Sequence, residues 1–340
     1  MIKAAIVGGG PAGSYCAYNL AENGIQSVIF DHTHPREKPC GGLITPLTQE
    51  IFPFLTELPV EHSERDKAYF ISPYGRRICI FSRKHRIRCF SRLKLDRFLV
   101  EMAVAKGAEL IKDKVKALER KRGSWKVKTA NKSYCVKTLI GADGVNSLVR
   151  KNIIGPLNRT NVGLCYGYFV KGLEKEEIAI RFLPHRKGYM WVIPRKDHTC
   201  VGIGSSELSS SSRLKRELDV FIGQRYPHVE RISEWASLIP NVKDLKTFRT
   251  PVAGTNWMII GDAAGHVNPI SGEGIMYALL DGKLAAQAVV DNDPRQFDYM
   301  WKEAYGRNLF ASIKMRRWLY KKQVLELHCQ FLRLRNKLRF

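Results

Sequence analysis

The stretch that decides the fold is IKAAIVGGGPAGSYCAYNLAENGIQSVIFD, residues 2–31. An apolar run over residues 2–7 leads into the turn Gly8-Gly9-Gly10-Pro11-Ala12-Gly13. A helix-compatible stretch, residues 14–23, follows the turn, and a second apolar run occupies residues 27–30. This order predicts a strand, a tight turn, a helix and a second strand, which is how a doubly-wound α/β domain begins.

The residues of this turn have separate roles in binding a dinucleotide. Gly8 permits the tight turn, Gly10 lets a pyrophosphate approach the backbone, and Gly13 lets the helix pack against the strand. Ala12, in the same turn, is also a cofactor-binding candidate. The helix N-terminus offers free N–H groups and the positive end of a dipole. Asp31 is placed where an acid would hydrogen-bond a ribose hydroxyl, so the segment predicts a dinucleotide site.

Two later turns indicate which dinucleotide is bound. The first is LIGADGVNS, residues 139–147, and the second is WMIIGDAAG, residues 257–265. The second turn leads into a glycine-rich helix start, which would place Asp262 near a ribityl chain. The N–H groups of Gly274 and Ile275 would then face the flavin pyrimidine edge. Each turn alone could be an ordinary strand end, but three glycine-rich strand ends in this order favour FAD.

These motifs resemble the flavoprotein monooxygenase superfamily that has the para-hydroxybenzoate hydroxylase fold. Gly141-Ala142-Asp143-Gly144 is similar to its second motif, and Gly261-Asp262-Ala263-Ala264 is similar to its third. The resemblance implies that Asp143, Val115 and Arg92 lie near the cofactor. The alternative for Arg92 is a solvated arginine at a helix start.

Two further motifs resemble the geranylgeranyl reductase family, which reduces double bonds of polyprenyl chains. The first is Lys38-Pro39-Cys40-Gly41-Gly42, similar to a P-x-x-C-G-G loop in which Cys40 and Gly41 would contact the cofactor. The second is YMWVIP, residues 189–194, followed by Gly202-Ile203-Gly204. Ile193 stands where the family has phenylalanine. The resemblance implies an FAD-dependent oxidoreductase that acts on an isoprenoid or polyprenyl lipid.

Three residues are the candidates for the substrate pocket and catalysis: Cys40, Tyr189 and Trp191. Cys40 could position an alkene or assist the transfer of a proton, or it could simply pack beneath the flavin. Tyr189 and Trp191 alternate on a predicted strand and share one face. They could line an apolar channel, although ordinary sheet packing explains them equally well.

Other functions stay open from the sequence. Residues 189–194 are also close to the W-x-W-x-I-P segment of flavin-dependent halogenases, whereas the loop at residues 38–42 is not a halogenase feature. An aromatic monooxygenase and a non-enzymatic electron carrier are further alternatives. The sequence contains no separate, complete NAD(P)-binding fingerprint beside the FAD motifs. NAD(P)H, ferredoxin and a quinol are therefore all possible electron donors.

The predicted organisation is a discontinuous FAD-binding domain with an inserted β-rich substrate domain. The FAD-binding domain comprises residues 1–66, 91–157 and 248–290, and the substrate domain comprises residues 67–90 and 158–247. A basic hairpin at residues 67–89 is expected to join the substrate-domain sheet. That sheet has four further strand candidates: Val162–Val170, Ile178–Leu183, Tyr189–Pro194 and Thr199–Gly204.

Residues 291–340 are predicted to form a basic amphipathic helical segment. Its cations are Arg307, Lys314, Arg316, Arg317, Lys321, Lys322, Arg333, Arg335, Lys337 and Arg339. Apolar residues recur among them at helical spacing: Leu309, Ile313, Leu319, Val324, Leu327, Phe331, Leu334 and Leu338. Such a helix suits an anionic membrane surface, or it could pack on the domain with a solvated basic face.

The composition narrows the class of protein. The net charge is +24, but the chain carries no recognisable nucleic-acid motif, so no nucleic-acid partner is expected. The eight cysteines form no C-x-x-C pair, so no metal site is expected. No signal peptide is evident, and no apolar run reaches the roughly 20 residues of a spanning helix. We expect a cytoplasmic protein that associates peripherally with the inner face of a membrane.

Overall fold

The computed structural model describes residues 1–82, 84–185, 187–206 and 210–337, with side chains other than those of residues 322, 328 and 332–337. The chain divides into two compact units. The first unit contains residues 1–36, 95–161 and 240–313, and the second contains residues 37–94, 162–239 and 314–340.

The strands of the described residues are labelled in chain order. They are β1 (Ile2–Val7), β2 (Ser27–Phe30), β3 (Leu43–Ile44), β4 (His62–Arg65), β5 (Lys67–Ile71), β6 (Arg77–Phe81), β7 (Ile87–Phe90), β8 (Glu109–Ile111), β9 (Val115–Lys121), β10 (Ser124–Thr129), β11 (Ser133–Gly141), β12 (Val162–Lys171), β13 (Ile178–Phe182), β14 (Gly188–Pro194), β15 (Thr199–Ser205), β16 (Glu230–Pro240), β17 (Ala253–Gly254) and β18 (Trp257–Ile259).

The α-helices are labelled in the same way. They are α1 (Pro11–Glu22), α2 (Pro46–Ile51), α3 (Arg92–Ala105), α4 (Leu148–Ile153), α5 (Ser211–Arg225), α6 (Leu245–Arg249), α7 (Ile275–Val290), α8 (Gln296–Trp301), α9 (Arg307–Leu319) and α10 (Lys322–Lys337). Short 3₁₀ turns occupy Pro53–Thr56, Arg159–Asn161 and Gly261–Ala263, and one π-helical turn occupies Lys302–Gly306.

The first unit is built on a parallel sheet with the core order β8-β2-β1-β11-β18. The central strand β1 is apolar throughout its buried part, as expected for a strand covered on both faces. Helices α1 and α7 pack closely, because a Cβ on Gly282 would lie only 2.6 Å from the carbonyl oxygen of Ala12. Strands β9, β10 and β11 add an antiparallel meander. The predicted Rossmann-like α/β fold is confirmed.

The second unit contains two sheets. The larger has the order β16-β12-β15-β14-β13-β5-β6. Its strands from β12 to β13 pair antiparallel, as do β5 and β6, whereas β13 and β5 pair in parallel. The smaller has the order β3-β7-β4. The four strands predicted between residues 162 and 204 are present. The predicted hairpin is only partly as expected: β5 and β6 join the large sheet, whereas β7 pairs with β3 and β4.

The division into units departs from the predicted domain boundaries, most extensively at two places. Residues 37–66 lie in the second unit, because β3 and β4 form backbone hydrogen bonds with β7. Residues 291–313 lie in the first unit, where Phe297 and Trp301 are fully buried. Local sequence patterns do not reveal such pairing between distant segments.

The C-terminal segment is helical as predicted, with a break between α9 and α10 at residues 320–321. Residues 338–340, which include the predicted Leu338 and Arg339, lie outside the described residues. Among the helices that the structure describes, none combines the length and the apolar character that crossing a membrane requires.

Candidate functional site

The three predicted turns of the first unit follow neighbouring parallel strands. Val7 is the register partner of Gly141, and Gly141 is the register partner of Ile259. The carboxyl ends of β1, β11 and β18 therefore meet at one edge of the sheet. In open α/β sheets, ligands bind outside this edge.

The first two turns are in direct contact. Gly8 has a φ of +106°, and a Cβ on it would lie 2.3 Å from the carbonyl oxygen of Ala142. A Cβ on Gly13 would lie 2.0 Å from the carbonyl oxygen of Gly8. Both positions therefore require glycine, for the tight turn and for helix packing as predicted.

The third turn contacts helix α1. Gly261 has a φ of +61°, and a Cβ on it would lie 3.0 Å from the Cβ of Ala12. The structure thus brings together three segments that are separated by more than a hundred residues of sequence.

Gly10 differs from the other glycines of the first turn, because apart from its own neighbours in the chain no atom of the described residues lies within 4 Å of the position that its Cβ would take. Gly10 is the N-cap of α1, and no side chain caps the helix there. The hydroxyl of Ser14 donates to the carbonyl oxygens of Gly9 and Gly10, at 3.0 Å in each case. The open space and the uncapped helix N-terminus are what an anionic pyrophosphate needs.

Asp31 lies directly after β2 and beside the first turn. Its Oδ2 accepts a hydrogen bond from the Gly9 N–H at 2.9 Å, and its Oδ1 accepts from the Thr33 N–H at 2.9 Å. Burial opposes ionisation, but these bonds hold the pKa of Asp31 below its usual range. The predicted ribose ligand is therefore a carboxylate that also fixes the glycine turn.

The carboxylate of Asp143 forms hydrogen bonds with residues of its own turn and of the helix that follows. It accepts hydrogen bonds from the Ser147 hydroxyl at 2.5 Å, the Leu148 N–H at 2.6 Å and the Val149 N–H at 3.2 Å. Burial raises the pKa of Asp143, and these hydrogen bonds oppose the rise. Asp143 thus holds the start of α4 against the second turn.

Asp262, Gly274 and Ile275 lie together as the sequence predicts. A Cβ on Gly274 would lie 3.2 Å from Oδ1 of Asp262. Gly274 is the N-cap of α7, and no side chain in the described part of the protein caps this helix either. Val115 lies elsewhere in the first unit, buried at the beginning of β9 and paired with Thr129.

A buried cluster that the sequence analysis missed holds the third turn in place. The Asp281 carboxylate accepts hydrogen bonds from the Gly261 N–H at 2.6 Å, from Nδ1 of His266 at 2.8 Å and from the Tyr305 hydroxyl. Asp281 and His266 are fully buried. Burial and the neighbouring Asp281 raise the pKa of Tyr305 well above its usual range, so its hydroxyl stays a donor. The signal available in the sequence was a lone acid within the apolar helix α7.

In the second unit, Arg195 holds the predicted loop at residues 38–42, which we call the Cys40 loop. Its guanidinium donates to the carbonyl oxygen of Cys40 at 2.5 Å, to that of Gly41 at 3.3 Å and to Oε1 of Glu37 at 2.7 Å. Arg195 is only 1% exposed. Since Arg195 directly follows Pro194, it joins the two motifs that resemble the reductase family. Neither Arg195 nor Glu37 was predicted from the sequence, although each flanks one of these motifs.

Glu37 connects the Cys40 loop to helix α3. Its carboxylate accepts from the Arg92 N–H at 2.9 Å and from the Ser91 hydroxyl. Burial opposes ionisation, but the charge of Arg195 and these hydrogen bonds hold the pKa of Glu37 below its usual range. Arg92 itself is 3% exposed, so the alternative of a solvated arginine is wrong.

The glycines of the Cys40 loop are sites of close packing. A Cβ on Gly41 would lie 2.4 Å from Cδ1 of Ile193. Gly42 has a φ of +69°, and a Cβ on it would lie 1.9 Å from the carbonyl oxygen of Phe90. The Gly42 N–H donates to Sγ of Cys40 at 3.3 Å, which fixes the position of the thiol. Ile193, at the phenylalanine position of the family motif, thus packs directly on the loop.

Tyr189 and Trp191 form a pair of rings whose centroids are 5.8 Å apart. Their register partners on β15 are Gly204 and Gly202, and a Cβ on Gly202 would lie 2.3 Å from Cζ2 of Trp191. The later glycines therefore make room for the indole ring. Trp191 is buried, as ordinary sheet packing predicts, whereas Tyr189 is only partly buried. Burial, with Tyr320, Cys165 and Cys40 as neighbours, raises the pKa of Tyr189 well above its usual range.

The model of a protein family described as "FAD binding domain" matches residues 1–289. The chain is 30% identical to the geranylgeranyl diphosphate reductase of Rhodobacter capsulatus over 306 residues, which cover 84% of this chain and 74% of the relative. It is 28% identical to the digeranylgeranylglycerophospholipid reductase of Methanococcus vannielii, over 93% of this chain and 86% of the relative.

The chain belongs to the geranylgeranyl reductase family of FAD-dependent oxidoreductases. Among solved structures, a geranylgeranyl bacteriochlorophyll reductase-like protein of Thermoplasma acidophilum is similar, with a TM-score of 0.84 and 21% identity, covering 97% of this chain and 91% of that one. A flavin-dependent brominase variant is also similar, with a TM-score of 0.78 and 19% identity, covering 98% and 94%. At these identities the likeness shows the shared fold alone.

The first unit of this geranylgeranyl reductase family member fits FAD. The cradle at Gly10 would be filled by a Cβ, and it lies at the uncapped start of α1. A second uncapped helix start, at Gly274, lies beside the carboxylate of Asp262. An adenine dinucleotide needs a pyrophosphate site, a ribose acceptor and a donor for the flavin ring, and the residues present can supply all three.

Proposed function

We propose that the protein saturates carbon–carbon double bonds of an isoprenoid or polyprenyl lipid. The observation that carries this proposal is the Arg195 link, which ties the Cys40 loop to the strand that carries Tyr189 and Trp191. The two motifs typical of the reductase family are thereby one structural unit. Relatives named as geranylgeranyl reductases support the same substrate class.

We assign the cofactor-binding roles as follows. The N–H groups at the start of α1, next to Gly10, bind the pyrophosphate. Asp31 accepts a hydrogen bond from the adenosine ribose, and Asp262 accepts one from the ribityl chain. The N–H groups at Gly274 and Ile275 donate to the flavin ring. When bound and reduced by the electron donor, FAD would supply the hydride that is added to one alkene carbon.

Cys40 is the proposed residue beside the alkene. Its sulfur accepts the Gly42 N–H at 3.3 Å, so the thiol is oriented while its own proton is not used in that bond. Tyr189 holds its proton tightly because its pKa lies well above the usual range, which favours a role in the pocket wall over proton transfer. We therefore propose that the thiol of Cys40 positions the alkene and assists delivery of the proton to the second carbon.

The wall of the proposed pocket is apolar. Tyr189 packs against a buried cluster of the second unit that includes Phe169, Trp191, Ile193 and Trp235. The Cys40 loop meets the same cluster at Gly41, where a Cβ would lie 2.4 Å from Cδ1 of Ile193. An apolar chain needs no hydrogen-bond partners, and aromatic and aliphatic walls exclude water from it. The cluster suits a prenyl chain better than a polar aromatic substrate.

We also propose that the protein works at the surface of a membrane, where such lipids reside. NAD(P)H, ferredoxin and a quinol are all compatible with the proposal as sources of electrons.

The test uses purified holoprotein under anaerobic conditions. The protein is reduced with dithionite and mixed with a geranylgeranyl lipid, and the products are examined by mass spectrometry. We expect the lipid to gain one pair of hydrogens for each double bond reduced. The flavin should be reoxidised at the same time, so that the absorbance of oxidised flavin returns. A colourless protein that takes up no added FAD, or a lipid that keeps all its double bonds, would overturn the proposal.

A matched control separates the alternatives. Cys40→Ala should keep the FAD content and lower the rate of lipid reduction, since the thiol is lost while the loop stays tied to Arg195. If instead the protein consumes oxygen and halogenates or hydroxylates an aromatic compound, the monooxygenase or halogenase reading holds.

A further inference from the structure

The segment from Met315 to Phe331 carries large apolar side chains that face solvent. Met315 is 53% exposed, Trp318 is 64% exposed, Leu327 is 63% exposed and Phe331 is 61% exposed. Among the described residues these are four of the fourteen large exposed apolar side chains, although the segment is only seventeen residues long. Scattered exposed apolar residues are ordinary, but a concentration of this kind marks a binding surface.

Helix α10 is already docked by its other face. Leu325, Glu326 and Cys329 are buried, and Glu326 pairs with Arg76 at 3.0 Å, beside strand β6. Leu327 and Phe331 are spaced by four residues, so they lie on the outer face of the docked helix. The exposed apolar face is therefore not the face that holds α10 on its unit.

The same surface is basic. Lys314, Arg317 and Lys321 are exposed beside Met315 and Trp318. The ammonium of Lys321 lies 4.3 Å from the centroid of the Trp318 ring. From residue 304 to residue 337 the sequence contains one acid, Glu326, and that acid is buried.

We propose that the outer face of α9 and α10, defined by Lys314, Met315, Arg317, Trp318, Lys321, Leu327 and Phe331, binds an anionic lipid surface. Apolar side chains enter the acyl boundary while the cations contact lipid phosphates. A second copy of the chain is a poorer occupant, because a symmetric pairing would bring like charges together.

Residues 320–321 form the break between α9 and α10, so the surface includes residues of both helices and of the break between them. The lipid binding does not rest on the proposed function, whereas the turnover of a bilayer-embedded prenyl lipid does.

The fluorescence of Trp318 can report directly on binding to lipid vesicles. The chain has six tryptophans, and the other five are each at most 9% exposed. The holoprotein is mixed with phosphatidylcholine vesicles, with and without phosphatidylglycerol, and sedimentation and tryptophan emission are recorded. We expect binding and a blue shift only with phosphatidylglycerol, and loss of the shift in Trp318→Phe. Self-association without lipid binding would overturn the proposal in favour of a dimer.

A charge-matched pair of variants distinguishes this surface from the general charge of the protein. The test variant is Lys314→Glu, Arg317→Glu, Lys321→Glu. The control variant is Lys116→Glu, Arg122→Glu, Lys132→Glu, three exposed cations of the first unit. The test variant should bind at least about a hundredfold more weakly to anionic vesicles, whereas the control should bind nearly as well as the parent. Equal loss in both would show that only net charge matters and would overturn the proposal.

Turnover separates this proposal from the proposed function. The test variant should reduce a bilayer-embedded prenyl lipid slowly and a short, detergent-dispersed prenyl alcohol at the parental rate. If the parent protein binds vesicles but reduces no lipid, the proposed function is contradicted, whereas the assignment of the membrane-binding surface is still supported.

Discussion

The glycine turns of the first unit and the Cys40 loop of the second unit are both short glycine-rich segments, but different forces hold them. In the first unit, Gly8 and Gly13 are required by backbone atoms of their own or the neighbouring turn. In the second unit, the Cys40 loop is held by Arg195, which lies more than 150 residues away in the sequence. The first-unit turns are specified by close backbone packing, whereas the Cys40 loop combines a backbone requirement at Gly42 with a buried cation supplied by Arg195.

This difference suggests how each segment should respond to substitution. At Gly8 and Gly13 no added atom should be tolerated, whereas the Cys40 loop should also fail when the single side chain of Arg195 is lost. Five sets of substitutions test the comparison, from the largest expected effect to the smallest.

Gly13→Ala should have the largest effect on stability. Its Cβ would lie 2.0 Å from the carbonyl oxygen of Gly8, and neither backbone segment can move without disturbing the sheet. We expect a loss of more than about 3 kcal/mol in the free energy of unfolding, measured by urea denaturation of the FAD-free protein.

Gly10→Ala is the matched control for this turn. Its Cβ would enter open space, so the FAD-free protein should lose less than about 1 kcal/mol, as for alanine in place of glycine at an N-cap. The same atom would occupy the pyrophosphate cradle. FAD affinity, measured by quenching of flavin fluorescence, should fall by about a hundredfold, or about 3 kcal/mol. Normal FAD binding by this variant would show that the cradle has been assigned wrongly.

Arg195→Met should cost about 3 kcal/mol, because it leaves the partly buried carboxylate of Glu37 without its cation and the carbonyl oxygens of Cys40 and Gly41 without their donor. The double variant Arg195→Met, Glu37→Gln should recover much of this loss. The pH dependence has a definite sign. The folded-state pKa of Glu37 is lowered, so its stabilising effect is present above its unfolded pKa of about 4.3 and is lost as the pH falls through the folded value. The gap in unfolding free energy between parent and Arg195→Met should therefore narrow in acid.

Asp281→Asn tests whether a side chain also contributes to the glycine-turn region. The variant weakens the acceptor for Gly261, His266 and Tyr305, and we expect a loss of about 2 kcal/mol. FAD affinity should fall about tenfold because the third turn is loosened. Asp291→Asn, an exposed change at the end of the same helix, should alter neither quantity. Unchanged FAD binding in Asp281→Asn would show that backbone contacts alone hold the third turn.

The sequence allowed the FAD-binding fold and the three turns to be predicted, because each turn carries its own local pattern of strand, glycine and helix. It also pointed to Cys40, Tyr189 and Trp191 through short motifs. The partners of these motifs were not predictable. Arg195 and Glu37 meet only after β14 and the Cys40 loop are brought together, and Asp281 acts through a residue twenty positions earlier. Side chains that act on distant backbone leave no local periodicity to detect.

Trp191 and its two glycine partners provide the finest test of the comparison, because here a glycine requirement arises from a side chain. A Cβ on Gly202 would lie 2.3 Å from Cζ2 of Trp191, whereas a Cβ on Gly204 would come no closer than 3.3 Å to any atom. Gly202→Ala should cost about 1 kcal/mol in urea unfolding, since the indole ring can shift, and Gly204→Ala should cost less than about 0.5 kcal/mol. Trp191→Phe combined with Gly202→Ala should then be better tolerated than the sum of the single changes, because the smaller ring leaves room for the added methyl group. Strict additivity would mean that the backbone, and not Trp191, sets the need for glycine at residue 202.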